Sequence, residues 1–276
     1  MPESKIRLVQ ENNLIAITNS IVDQCFGNLE SILRTKDSFY GVYYNPYPLE
    51  YHRPNKDFNC FINRMDIFRQ SWLYQLVRRR LFDRGYISFN MDLTHMPFNQ
   101  GLTQREAFEK QFTQHCSIFA QEHEQVKNLV PYKNFQDNGD LTNVILDSKI
   151  SLVLETYFDN NQIVTYSEKI FRCLQIARPW ILFSHCNAVK HLREMGFDLL
   201  DDIVDHVKYD QIESPVDRQV MILDMLQQLV EIDIDHNWIR LHSAAKHNQK
   251  ILKQFFETWE QDFDAVIAKA VEKLYA

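Results

Sequence analysis

A lysine in the first turn of a helix opposes the helix dipole, so Thr165-Tyr166-Ser167-Glu168-Lys169 demands a chemical explanation. The apolar run that ends in Glu155 reads as a buried strand, and Asp159-Asn160-Asn161 reads as a polar turn. A helix is then expected from about Ser167 to Gln175. Thr165-x-x-Glu168 has capping-box spacing, in which Glu168 would accept a backbone N–H. Lys169 becomes favourable at such an end when an anion shares the site, as a phosphorylated ligand would supply. A solvent-facing lysine is the other account, and the spacing leaves both open.

The second constellation is Asn63-Arg64, Arg69 and Leu73-Tyr74. Both arginines follow a buried strand where the next helix begins. A guanidinium there could clasp a diphosphate through two parallel hydrogen bonds; a salt bridge to a carboxylate is the competing use. The ten histidines contain no H-E-x-x-H, and G-x-S-x-G is absent. Asp201-Asp202 with Asp205 could hold magnesium or form a solvated acidic turn, and the turn is the expected reading, with no metal site.

Composition narrows the chemistry further. Only six glycines occur in 276 residues, none closer than 14 to the next, so no Walker A loop or G-x-G-x-x-G turn can be written. Five cysteines without a C-x-x-C argue against a disulfide framework or a cysteine-rich zinc site, and a reducing cytoplasm is expected. A net charge of −7 does not advertise a nucleic-acid binder, although Arg78-Arg79-Arg80 is a local basic cluster. No apolar run approaches the roughly 18 residues of a membrane span, and the polar start of the chain lacks a secretory pattern.

The elements that must position these residues follow from periodicity. Strands are expected at 13–18, 39–44, 57–62, 86–90, 149–155 and 179–184. Helices are expected from the first strand through Leu33, at 66–84, at 104–124 behind the capping box Thr103-x-x-Glu106, and at 187–195 up to Gly196. Ser214-Pro215-x-Asp217 opens another helix, and the tail from Ala244 carries one apolar stripe from Ile251 to Leu274. Short strands alternating with helices indicate an α/β fold with a mostly parallel, Rossmann-like sheet, in which ligands bind at the C-terminal strand ends.

Leu154-Glu155-Thr156-Tyr157, Tyr166-Ser167-Glu168-Lys169-Ile170-Phe171 and Ala177-Arg178-Pro179-Trp180-Ile181-Leu182 together resemble the donor-binding signature of α1,3-fucosyltransferase-type glycosyltransferases. The upstream Phe61-Ile62-Asn63-Arg64, Arg69 and Tyr74-x-Leu76 resemble that family's arginine block, in the same order, so the resemblance covers about 57–184. Leu192 to Phe197, with Tyr209-Asp210 and Arg218, is also similar to glycosyltransferase-like proteins of bacteriophages.

The resemblance implies a GT-B donor domain that takes a GDP- or UDP-linked sugar without a metal. Arg64, Arg69, Glu155, Thr165, Tyr166, Ser167, Glu168 and Lys169 would bind the nucleotide sugar. Arg69 would grip the diphosphate, Glu168 would hold ribose or sugar hydroxyls, and Lys169 would neutralise the leaving phosphate. Glu168 and Lys169 are thus the catalytic candidates. The acceptor would be an unidentified hydroxyl on a glycan, protein or nucleic acid. The implied organisation is a reduced N-terminal α/β region at 1–56, a donor domain at 57–243 with an acceptor-side insertion at 90–148, and a packing helix at 244–276. Thr156 stands where the family has asparagine, and Thr165 where it has tyrosine. The short region before the first block favours a second reading, a non-catalytic α/β interaction module.

Overall fold

The structure, a computed structural model, describes residues 16–18, 20–22, 32–34, 47–62, 67–89, 132–133, 141–155, 158 and 163–275. Three short strands come first, β1 (Ala16–Thr18), β2 (Ser20–Val22) and β3 (Ile32–Arg34). β1 pairs with β3 in parallel. Residues 20–22 and 32–34 are therefore extended, which corrects the helix expected through Leu33. Ile21, Val22 and Ile32 are β-branched and favour a pleated backbone. The expected strand at 39–44, the helix at 104–124 and Arg64 lie outside the described residues.

A five-stranded sheet organises the rest. β4 (Lys56–Ile62) continues through α1 (Ile67–Arg78) to β5 (Gly85–Phe89), and β6 (Tyr132–Lys133) lies antiparallel against β5. α2 (Thr142–Leu146) leads into β7 (Ser148–Leu154). β8 (Ile163–Thr165) pairs antiparallel with β2 and precedes α3 (Glu168–Leu174) and β9 (Trp180–Phe183). Four helices complete the order, α4 (Ala188–Glu194), α5 (Val207–Asp210), α6 (Pro215–Leu229) and α7 (Ile234–Tyr275). The sheet order is β6-β5-β4-β7-β9, and β5, β4, β7 and β9 run parallel.

Parallel strands are buried on both faces, and β9 reads Trp-Ile-Leu-Phe with every residue buried. Alternation along the strands then decides which side chain meets which helix. Phe183 meets the Trp72 ring of α1 at 5.2 Å, and Ser71 of α1 bonds Gln219 of α6 at 3.3 Å. On the other face Asn59 Nδ2 donates to Ser151 Oγ at 3.0 Å. Asn248 of α7 donates to the carbonyl of Leu174 in α3 at 3.0 Å.

Several ends differ from the periodic expectation. α1 stops at Arg78 because Arg80 turns into the left-handed region (φ 57°), and a 3-10 turn at Phe82–Arg84 follows. Arg79 of the basic cluster pairs with Asp224 and donates to Gln227 at 2.6 Å. Ser214 caps α6 as its spacing predicts, accepting from Asp217 N–H. Gly196 ends the turn after α4 with φ 90°. α7 begins at Ile234, ten residues before Ala244; Ile251, Leu252 and Phe255 of α7 pack on the core, and side chains beyond residue 257 lie outside the described set.

The outer edge of β9 is closed by a buried relay. The Tyr209 hydroxyl accepts Leu182 N–H at 3.2 Å and donates to His206 Nδ1 at 2.6 Å. His206 Nε2–H donates to the Leu199 carbonyl at 2.9 Å, which selects the tautomer of the neutral ring, stacked 4.4 Å from Trp180. Burial pushes the His206 pKa down to about 4.

Two tests follow from this packing. A Cβ on Gly85 would stand 2.5 Å from the ring of Phe58, its partner across the sheet. Gly85→Ala is expected to cost about 1–3 kcal/mol and to lower Tm by several degrees. An unchanged Tm would show that the ring can swing aside. For His206, the unfolded chain protonates near pH 6.5 while the folded ring stays neutral down to about 4. Stability is therefore expected to fall as pH drops through that window, with a limiting slope of about 1.4 kcal/mol per pH unit. Chemical denaturation at several pH values should show a shallower slope for His206→Asn than for the wild type.

Candidate functional site

The strand order reverses between β4 and β7, because the chain leaves β4 first towards β5 and later crosses to β7. Open α/β sheets bind ligands at this point, outside the C-terminal strand ends. The helix after each flanking strand brings a basic residue to its first turn. Arg69 lies in the first turn of α1, and Lys169 is the second residue of α3.

Glu155 follows β7 and is 5% exposed. Its Oε1 accepts the backbone N–H of Ser167 at 3.0 Å and the Ser167 hydroxyl at 2.9 Å. Burial pushes the carboxyl above its ordinary pKa, against the Ser167 bonds and the Lys169 charge that favour ionisation. The Ser167 oxygen in turn accepts Lys169 N–H at 3.3 Å, which makes it the helix cap. The capping residue is thus Ser167 and not Thr165, which belongs to β8; the box spacing placed the cap two residues early. Helix entry is set here by the buried Glu155, which holds Ser167 extended (φ −93°, ψ 172°).

Glu168 is the first residue of α3, and its carboxylate meets Lys169 Nζ at 3.0 Å. Burial opposes its charge, but Lys169 and a backbone N–H outweigh that and hold the pKa below the usual carboxylate range. Lys169 Nζ also lies 3.5 Å from Ser167 Oγ. The anion that balances Lys169 in this structure is its own neighbour. Both side chains are substantially exposed, 31% for lysine and 49% for glutamate, so the pair adds little stability and is readily exchanged for another partner.

Tyr166 is buried and donates to the Ala188 carbonyl at 2.5 Å, so its hydroxyl joins the segment before α3 to the start of α4. Arg69 is 7% exposed and its charge reaches the Cys60 thiol, which burial nevertheless pushes up to about 12. Burial also pushes Cys173 up to about 11 and raises Cys186, so none of the three is a ready thiolate. The structure thus gathers Glu155, Ser167, Glu168 and Lys169 in one cluster beside β7, while Arg69 follows β4.

Other buried polar groups at this end carried no signal by spacing. Asp210 accepts the N–H groups of Val189 and Lys190, both at 2.9 Å, and caps α4 from outside its own helix. Arg218, 1% exposed, donates to the Phe158 carbonyl at 2.8 Å and to that of Ile212, and lies 5.6 Å from the Phe183 ring. Buried Ser184 follows β9, and its hydroxyl has no hydrogen-bond partner among the described residues.

The carboxylates considered for magnesium are all paired. Asp201 binds Arg193, Asp202 binds Arg240 and Asp205 meets Lys208. Among the described residues no group of three or more His, Cys, Asp or Glu side chains could hold a metal ion. Among the described residues, too, no helix is long and apolar enough to cross a membrane. A cleft of about 620 Å³ lies at the opposite end of the sheet, where β4, β5 and β7 begin.

The chain is an α/β protein whose sheet has four parallel strands, consistent with a Rossmann-like fold. Comparison with protein-family models, curated proteins and solved structures finds no significant match.

The Glu155 carboxyl supplies a direct test. A carboxyl whose pKa is raised by folding favours the folded state in acid and loses that contribution as pH rises through its folded pKa. Glu155→Gln keeps an oxygen for the Ser167 bonds without the buried charge. The variant is expected to be as stable as the wild type near pH 4 and more stable at pH 7, read from denaturant midpoints. A variant less stable at both pH values would mean that the ionised carboxylate holds the loop.

Proposed function

We propose that the crevice at the C-terminal ends of β4 and β7 binds the diphosphate of a nucleotide sugar and that the chain is a glycosyltransferase of GT-B type. The observation that carries this reading is the presence of two basic residues, Arg69 and Lys169, in the first turns of the helices that follow the two strands at the switch point. A leaving diphosphate accumulates negative charge as the sugar departs, and a fixed cation near a helix N-terminus stabilises it without a metal. Lys169 would exchange its contact with Glu168 for phosphate oxygen. Glu168, freed, would accept hydroxyls of ribose or sugar, and Glu155 with Ser167 would keep the loop in place. The acceptor is a hydroxyl of unassigned class.

One observation favours the second reading, a non-catalytic α/β module. Lys169 is already neutralised by Glu168, and both bonds of Ser167 to Glu155 are internal. Binding and catalysis are therefore tested separately. Thermal-shift titration of the wild type with GDP, UDP, CMP and their sugars is expected to show stabilisation by one nucleotide. Ligand at ~100 times its Kd adds about 2.7 kcal/mol, a shift of a few degrees. Lys169→Ala, on a half-exposed side chain, should abolish the shift while leaving the ligand-free Tm near wild type, and Arg69→Ala should also abolish it. A shift without slow hydrolysis of the nucleotide sugar would support the non-catalytic module. No shift with any nucleotide would overturn the donor-site assignment.

A further inference from the structure

We propose that the cleft at the N-terminal end of the sheet is a second binding site, for an organic cation carrying a primary ammonium or guanidinium group. It does not depend on the reading of the crevice at the other end. The cleft, about 620 Å³, is lined by Glu50, Tyr51, His52, Asn55, Tyr86 and Asp147, with apolar surface from Val144 and Leu146. That volume suits a small ligand or the end of a long side chain.

Its hydrogen-bonding character is set by bonds already made. Tyr86 donates its hydroxyl proton to Asp147, and Tyr51 donates its own to Asp235. Both phenol oxygens thus present lone pairs only. The Tyr86 proton is retained across the neutral range, since its bond to Asp147 pushes the pKa up to about 12. Asn55 commits its Nδ2 to Asp147 Oδ1 at 2.6 Å, and the His52 ring Nε2 lies 3.3 Å from the same oxygen. Exposed Glu50 adds a second carboxylate. Acceptors outnumber donors, so the complementary ligand is rich in N–H.

Charge and shape select the same chemistry. No lysine or arginine is among the lining residues, whereas Glu50 and Asp147 are both acidic. Lys56, Arg53 and buried Arg178 lie close by, and none of the three lines the cleft. Tyrosine faces attract cations, and the Tyr86 ring already has the Lys56 ammonium 5.9 Å from its centroid. An alkyl stem would lie along Val144 and Leu146 while its ammonium or guanidinium meets the exposed Glu50 carboxylate and the phenol oxygens.

The test uses the full chain with two probes, spermidine and a capped tri-arginine peptide, titrated by calorimetry at low salt. Saturable binding in the micromolar to low millimolar range is expected for at least one probe. Glu50→Lys, at an exposed position, should weaken binding by roughly tenfold, while its Tm stays that of the wild type. Tyr51→Ala, which also removes the 5.1 Å contact with Trp238, should weaken binding as well. Tighter binding of the peptide would assign the site to basic side chains of a partner, and tighter binding of spermidine to a free polyamine. Binding unchanged by Glu50→Lys, or no saturation with either probe, would overturn the proposal.

Discussion

The starting points of three strands are held together by one buried cation. Arg178 is 2% exposed and directs its guanidinium at backbone carbonyls alone: Ser148 at 3.0 Å, Ala177 at 2.9 Å, Leu146 at 2.9 Å, and His52. Burial lowers its pKa to about 10, with the charges of Tyr51, Asp147 and Asp235 acting in the other direction. The group therefore stays ionised at neutral pH. No carboxylate among the described residues touches it, so four carbonyl dipoles and the Trp238 ring 5.9 Å away carry the solvation that water would supply. The arrangement fixes where β7 begins relative to β9 and to the segment leading into β4. Parallel register then places Glu155, and with it Ser167, at the far end of the sheet.

The two ends of that sheet are chemically unlike. At the C-terminal end, Arg69, Lys169 and Arg218 lie near helix N-termini, and the carboxylates of Glu155 and Asp210 bind backbone N–H groups. At the N-terminal end, Asp147 and Asp235 accept from tyrosines and asparagine, and Glu50 lines the cleft beside them. The contrast follows from strand polarity. Helices that start after a strand offer N–H groups and attract anions or carboxylates, while the segments that enter strands offer carbonyls. Arg178 and Glu155 are matching solutions to the same requirement, one binding carbonyls and the other binding N–H.

Much of this was legible in the residue pattern. Period-2 and fully apolar runs located β4, β5, β7 and β9 within a residue or two, because parallel strands covered on both faces leave an unmistakable hydrophobic signature. Ser214 and Gly196 marked helix ends through local chemistry alone. The pattern failed where distant groups decide. Thr165-x-x-Glu168 fits a capping box, yet a buried carboxylate twelve residues before Ser167 selects the serine instead. α4 is capped by Asp210, twenty-one residues after Val189, and no local spacing encodes that. The left-handed turn at Arg80 cut α1 short, with nothing in the apolar period of 66–84 to announce it.

The closed edge at β9 bears on how this protein behaves at high concentration. A sheet with a bare outer strand is a template for a strand from another molecule. Here the Tyr209 hydroxyl occupies Leu182 N–H on one margin, and among the described residues the other margin is the two-residue strand β6. Sheet-to-sheet pairing at β9 is thereby opposed by an ordinary side-chain hydroxyl. A docking strand would have to displace that phenol before it could use the Leu182 N–H.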